Sequence, residues 1–291
     1  MIFKAAPLDR VFLEIGPITI YWYGVIIAIA VALGFWLAVK ETERLGLEKD
    51  LIIDFMVYAV PIAIVSARIY YVIFEWESYA NGPLWRLFAV WEGGIAIHGA
   101  ILGGTLTAIV FSRVKNISFW KLADILAPSL ILGQAIGRWG NFMNQEAHGG
   151  QLPDGSLMYD LLPEFIINQM TINGVAYHPT FLYESVWNIV IFILLLLLRR
   201  FNPLRGEVFL TYLMGYSIGR FFIEGLRTDS LYVVGDLRTA QLVSILLIIG
   251  SIVFMVYRRK TIKARYREAS TPDVIFPVLK YSLIVLVDSF K

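Results

Sequence analysis

The stretch Gly137-Arg138-Trp139-Gly140-Asn141-Phe142-Met143-Asn144-Gln145-Glu146 closes an apolar run that begins near Leu122. A run of that length is what a helix needs to cross a bilayer, about 20 residues, so the motif lies where a membrane helix leaves the hydrocarbon. Read as a helix, Gln134, Arg138, Asn141 and Gln145 recur at spacings of four, three and four and share one face. Gly133 and Gly137 form a small-xxx-small pair that would admit a second helix closely. A guanidinium at this depth is costly unless it faces protein, water or an anion. A solitary helix-end arginine commonly just reaches the interface. Here Asn141, Asn144 and Glu146 follow at once, and the clustering predicts a site.

Composition agrees with the membrane reading. Of 291 residues 58% are hydrophobic and only 16% charged, where a soluble protein carries about a quarter. The chain is expected to be an all-α polytopic membrane protein with about seven transmembrane helices. The formal net charge of +2 says little, because the distribution of charge is what matters in a membrane, and no nucleic-acid partner is expected. Cysteine is absent, which excludes disulfides, thiolate metal sites and a thiol nucleophile supplied by the protein. No internal repeat or low-complexity stretch stands out.

Working outward, the expected spans are residues 18–39, 51–74, a third ending near Phe111, 122–140, 180–198, 206–224 and 239–257. Tyr21-Trp22-Tyr23 open the first as an interface belt. The second carries Pro61 and Arg68, and Trp91-Glu92-Gly93-Gly94 lead through His98-Gly99 into the third. Residues 141–179, between the fourth and fifth spans, are too polar and too broken by glycine and proline to cross, and form an outer loop region. Residues 1–267 read as one integral membrane domain. Residues 268–291 read as a tail whose apolar part, interrupted by Pro277 and Lys280, lies on the membrane surface or against the protein.

Orientation follows from the basic residues. Lys40, Arg44 and Lys49, then Arg113, Lys115 and Lys121, then Arg199, Arg200 and Arg205, then six more from Arg258 to Arg267, fall on one side. Lys4, Arg10, Arg86, Arg227 and Arg238 fall on the other. The excess marks the cytoplasm, placing the N-terminus outside and the C-terminus inside.

With that orientation Tyr23, Arg68, His98, Arg138, Asn141, Glu184, Arg220 and Glu224 all come out near the outer leaflet. Their convergence predicts a polar cavity open to lipid, and intramembrane ionisable groups are functional candidates by default. Arg138 and Arg220 point to an anionic ligand, with phosphate favoured by bidentate geometry. The bland reading pairs Arg220 with Glu224 at i,i+4 and Arg138 with Glu146. His98 is the one histidine within a span and could take a proton from a nucleophile, with Tyr23 orienting it. Alternatively His98 only packs, and Glu146 or water takes the proton. A zinc site from His148 and His178 with Glu146 or Glu184 lacks the i,i+4 ligand pair of a metallohydrolase helix, and no metal is expected. Gly215-Tyr216-Ser217-Ile218-Gly219 matches the hydrolase pattern G-x-S-x-G, but that motif needs a strained strand-to-helix turn. The residues alone read as an enzyme or carrier acting on an anionic lipid at the outer leaflet, an intramembrane serine protease using Ser217 and His98 or a transporter of anionic lipid among the possibilities.

The 137–146 motif, closed by Gly149, resembles the signature of the bacterial prolipoprotein diacylglyceryl transferases. So do Tyr21 to Gly24, Trp91 to Gly99, His178-Pro179 with Tyr183-Glu184, and Gly215-Tyr216 through Arg220 to Glu224. Ala100 departs from the family, in which a second glycine commonly follows the histidine. The resemblance implies transfer of a diacylglyceryl group from phosphatidylglycerol to the lipobox cysteine thiol of a prolipoprotein signal peptide, releasing glycerol 1-phosphate. It implies a bacterial cell-membrane location and no cofactor. In site terms it implies catalysis by His98, Tyr23, Arg220 and Glu146. Arg138, Asn141, Asn144, Gly149 and Arg220 would bind phosphatidylglycerol, with Tyr216, Glu224, Glu184 and Arg68 in support.

Overall fold

The computed structural model describes residues 8–80, 82–228, 232–234, 237–261 and 263–268; of the expected surface tail, residues 269–291 lie outside them. The chain opens with a hairpin, β1 (Val11–Ile15) and β2 (Ile18–Tyr21), and continues as helices α1 (Trp22–Arg44), α2 (Leu51–Phe74), α3 (Ile97–Val114) and α4 (Phe119–Asn144). The loop that follows α4 holds short helices α5 (Leu157–Leu161) and α6 (Glu164–Gln169) and a small hairpin, β3 (Thr171–Ile172) and β4 (Val175–Ala176). There follow α7 (Thr180–Arg200), α8 (Glu207–Glu224), a hairpin of β5 (Tyr232–Val234) and β6 (Leu237–Arg238), and α9 (Thr239–Thr261). The protein is therefore a polytopic all-α membrane protein. Among the described residues, six of the seven long helices are apolar and long enough to cross a membrane by length and composition alone. The remaining one, α8, matches the expected sixth span but carries Glu207, Arg220 and Glu224.

The spans fall close to expectation, with three instructive shifts. The first helix starts at Trp22, because Ile18–Tyr21 pairs back on Val11–Ile15. Gly16, at φ +58°, and Pro17 make the turn, a hairpin cue in a segment that hydropathy alone reads as span. The third helix starts only at Ile97, since Gly93 and Gly94 both take positive φ and end any earlier helix. The fourth runs on to Asn144, so Gln145 lies beyond the face shared by Gln134, Arg138 and Asn141.

Two compact units divide the chain. The first comprises the chain through Ala38 together with Leu126–Tyr266. Its core packs Ala127 and Ile131 of α4 with Ile191 and Leu195 of α7 and Val208 and Tyr212 of α8. A second cluster packs Phe142 and Met143 with Ile166, Met170 and Phe181. Within this unit α1 approaches α4 at Gly34, where an added Cβ would lie 3.3 Å from the Ser129 carbonyl, and again where the Tyr23 ring covers Gly140. Gly133 has open space beside it, so the close approach expected at Gly133 occurs one to two turns away. The second unit, Val39–Ile125 with the chain from Arg267, is built on α2 and α3. Cβ atoms at Gly99 and Gly103 would fall 2.3 and 2.4 Å from Ser66 atoms, so only glycine lets these helices meet there.

Candidate functional site

In the first unit, α7 and α8 pack closely because Gly215 and Gly219 accept the side chains of Ile191 and Trp187. Trp187 Nε1 donates to the Gly215 carbonyl at 2.8 Å. That approach carries Glu184, one turn into α7, to Arg220 on α8: Arg220 Nη1 lies 2.9 Å from Glu184 Oε1, and Nη2 lies 2.7 Å from Glu224 Oε2. From α4, Arg138 Nε reaches Glu184 Oε2 at 2.6 Å. Arg227, just beyond α8, adds contacts of 3.8 Å to Glu184 and 3.9 Å to Glu224. Three guanidinium groups thus surround two carboxylates. Both glutamates are buried, whereas Arg138 and Arg220 keep about a fifth of their side-chain surface exposed. The bland reading's pairing of Arg138 with Glu146 is not found among the described residues; Arg138 and Arg220 share Glu184 instead.

Glu146 is held differently. Its Oε1 accepts from Asn141 Nδ2 at 2.7 Å and from Asn144 Nδ2 at 3.4 Å, while Asn141 Oδ1 accepts from Arg138 Nη1 at 3.4 Å. A continuous polar chain therefore runs from Arg138 through Asn141 to Glu146. Gln145 and Ala147 both adopt left-handed backbone at φ +56°, uncommon for residues other than glycine, and this turns the chain back at the end of α4. Gln169 of α6 secures the turn, donating to the Phe142 and Met143 carbonyls at 3.1 and 3.4 Å. Glu146 and Asn144 then line a cleft of about 690 Å³ with Tyr23, Gly24, Arg10 and the β2 residues 19–21.

Gly149 is a junction. Its N–H donates to the His178 carbonyl at 2.9 Å, and it pairs antiparallel with Arg227. A Cβ there would sit 2.7 Å from the Cβ of His178. Gly149 thus ties the loop after α4 to the start of α7 and to the segment that presents Arg227. Arg238 donates to the Glu224 and Arg227 carbonyls, capping the end of α8. Tyr216, a turn before Arg220, stacks at 6.3 Å on Tyr212, whose hydroxyl accepts from Gln134.

The second unit holds His98 and Arg68. His98 is the second residue of α3, exposed, and stacked at 5.8 Å on Tyr70 of α2. Arg68 is buried and spends its donors on four carbonyls, of Arg86, Leu87, Gly93 and Gly94, at 2.5 to 3.0 Å. It fixes the loop that leads into α3.

Among the described residues no three histidine, aspartate or glutamate side chains are grouped to hold a metal. His178 meets the Tyr183 hydroxyl at 3.1 Å and His148 packs on Tyr177. Ser217 is buried mid-helix and its hydroxyl has no hydrogen-bond partner. The sequence reading missed Arg10, Gln169, Arg227 and Arg238 as parts of this arrangement. Only Arg227, three residues after Glu224, carried a local signal.

The fold and site define an integral membrane protein with an arginine-rich polar centre among its helices. The family model of the prolipoprotein diacylglyceryl transferases matches residues 10–257, and the chain belongs to that family and is a transferase. Its relatives include a protein of Oceanobacillus iheyensis named phosphatidylglycerol--prolipoprotein diacylglyceryl transferase, 66% identical over 271 residues, covering 92% of this chain and 94% of that one. A protein of Geobacillus kaustophilus with the same name is 60% identical over 264 residues, covering 90% and 97%.

Proposed function

We propose that this chain moves the diacylglyceryl group of phosphatidylglycerol to the thiol of a lipobox cysteine in a precursor polypeptide, in the outer leaflet of a bacterial cell membrane, with the N-terminus outside and the C-terminus in the cytoplasm. The thiol sulfur attacks the terminal glyceryl carbon of the lipid, a C–S bond forms, and the C–O bond to phosphate breaks. Glycerol 1-phosphate leaves. In that step the phosphate passes from one negative charge towards two, so the groups that matter are those that stabilise charge as it develops.

The observation that carries this reading is the placement of Arg138 and Arg220. Arg138 is anchored on Glu184 through Nε, Arg220 on Glu184 and Glu224 through Nη1 and Nη2, and each keeps about a fifth of its side chain exposed. A guanidinium fork suits phosphate oxygens, and anchoring removes the cost of ordering it during the reaction. Asn141, Asn144 and Gly149 support lipid binding through the chain to Glu146 and the backbone seam at Gly149. His98 takes the thiol proton, with Glu146 as the competing base, and Tyr23 orients the thiol; a positioned base is worth about 10²–10⁴-fold. Glu224, Tyr216 and Arg68 hold these groups in place.

The test is direct. The purified protein is incubated with phosphatidylglycerol labelled in its acyl chains and a peptide carrying a lipobox cysteine, and the peptide is analysed by mass. The expected product bears a diacylglyceryl thioether and appears together with glycerol phosphate. An unmodified peptide would defeat the proposal, and a cleaved one would favour a protease.

A further inference from the structure

The cleft beside Glu146 is walled on one side by three consecutive residues of β2, Thr19, Ile20 and Tyr21. Successive strand side chains point to opposite faces, so three in a row line a cleft only where the strand turns its edge towards it. That edge is free: β1 and β2 form a sheet of two strands, and no other described segment pairs with β2. Its register can be worked out. The turn is two residues long, so its closing pair, Ile15 with Ile18, is hydrogen-bonded, and the next pair, Glu14 with Thr19, is not. After the irregularity between Val11 and Leu13, Trp22 N–H donates to the Arg10 carbonyl at 3.0 Å, which makes Val11 with Tyr21 another non-bonded pair. The N–H and C=O groups of Thr19 and Tyr21 therefore point away from β1. Unpaired edges of this kind template the addition of another strand.

We infer that the cleft seats the precursor polypeptide, which adds in extended form to the free edge of β2. The inference rests on the proposed thiol-transfer reaction, whose acceptor is a polypeptide, and assigns where its main chain lies. Residues 19–21 span roughly 10 Å, enough to pair two peptide residues two positions apart. The opposite wall carries Asn144 and Glu146. Through Asn141 that wall leads directly to Arg138, so a cysteine near the paired segment is delivered towards the arginine cluster. Arg10 stands at the Tyr21 end of the same cleft.

Strand addition makes a prediction no side-chain pocket makes: sensitivity with a period of two along the peptide backbone. A series of cysteine peptides, each N-methylated at one backbone position, is assayed for transfer from phosphatidylglycerol, with KM measured for both substrates. Methylation at two positions separated by one residue is expected to raise peptide KM roughly 3- to 10-fold each, the worth of one backbone hydrogen bond, with the position between them unaffected. Thr19→Pro removes one outward N–H in an edge strand, where proline is tolerated. It is expected to raise peptide KM similarly and to leave kcat and the lipid KM unchanged. A flat methylation profile with active unmethylated peptide overturns the inference and leaves the reaction standing. A Thr19→Pro enzyme with raised KM for phosphatidylglycerol alone assigns the cleft to lipid and also overturns it. No transfer to the unmethylated peptide removes the reaction and the inference together. The methylation series uses the unaltered protein, so it decides the matter even if the variant fails to fold.

Discussion

Replacing Arg138 with lysine keeps the charge and removes the fork. In the structure Nε of Arg138 is committed to Glu184 at 2.6 Å, Nη1 leans on Asn141 at 3.4 Å, and about a fifth of the side chain remains exposed for a ligand. A lysine has one nitrogen, so it can meet Glu184 or an incoming phosphate, and serving both would require geometry its flexible stem does not impose. Because the ion pair with Glu184 survives in charge, fold stability should change little. The transition state, however, loses one charge-assisted contact, worth about 2–3 kcal/mol, or roughly a 30- to 150-fold fall in kcat/KM. The assay is transfer from labelled phosphatidylglycerol to a cysteine peptide, beside a thermal unfolding curve in the same detergent. An Arg138→Lys enzyme with unchanged Tm and kcat/KM within about threefold of the parent would refute the claim that this arginine works as a fork on phosphate.

Gly140→Ala places a Cβ 2.7 Å from the Tyr23 ring; it should destabilise by about 1–3 kcal/mol and lower activity about tenfold, read from Tm and kcat together, and normal values for both would show Tyr23 free to move without consequence. Ser217→Ala deletes a buried hydroxyl that lacks a partner, so transfer should persist and stability should rise by about 1 kcal/mol or more; a folded but inactive variant would restore Ser217 as a nucleophile. Asp154→Cys, at an exposed loop position in a cysteine-free chain, should react with an impermeant thiol reagent added outside intact cells, and reaction only from the cytoplasmic side would reverse the proposed orientation.

Hydropathy made the long helices legible almost to the residue where a loop signal bounds them: the expected span 51–74 is Leu51–Phe74, and those expected from Thr180 and Thr239 begin there. It failed where two periodicities overlap. Ile18–Tyr21 is apolar enough for a span, yet its pairing with Val11–Ile15 across the turn at Gly16 claims it for a hairpin. The site shows the same division. Glu224 and Arg220 stand at i,i+4 on one helix, so their contact could be read from spacing. Glu184 lies 46 positions from Arg138 and 36 from Arg220. Only the packing of α7 on α8, set by Gly215 and Gly219, makes it their common partner. Arg238 and Gln169 act on carbonyls through tertiary approach, and nothing in local sequence marks a side chain that will cap a distant helix.

Among the described residues three arginines meet two glutamates at this centre. In a medium of low dielectric an isolated guanidinium is expensive, and Glu184 and Glu224 offset that cost by direct contact with all three. In the proposed reaction the phosphate gains a second negative charge as the C–O bond breaks, and Arg138 and Arg220 would meet that charge while held by carboxylates that do not have to move. The same reasoning explains why Glu184 is buried while Arg138 and Arg220 stay partly exposed. The anchor must be shielded to hold its geometry, and Arg138, whose terminal nitrogens are not spent on a carboxylate, stays open to a ligand.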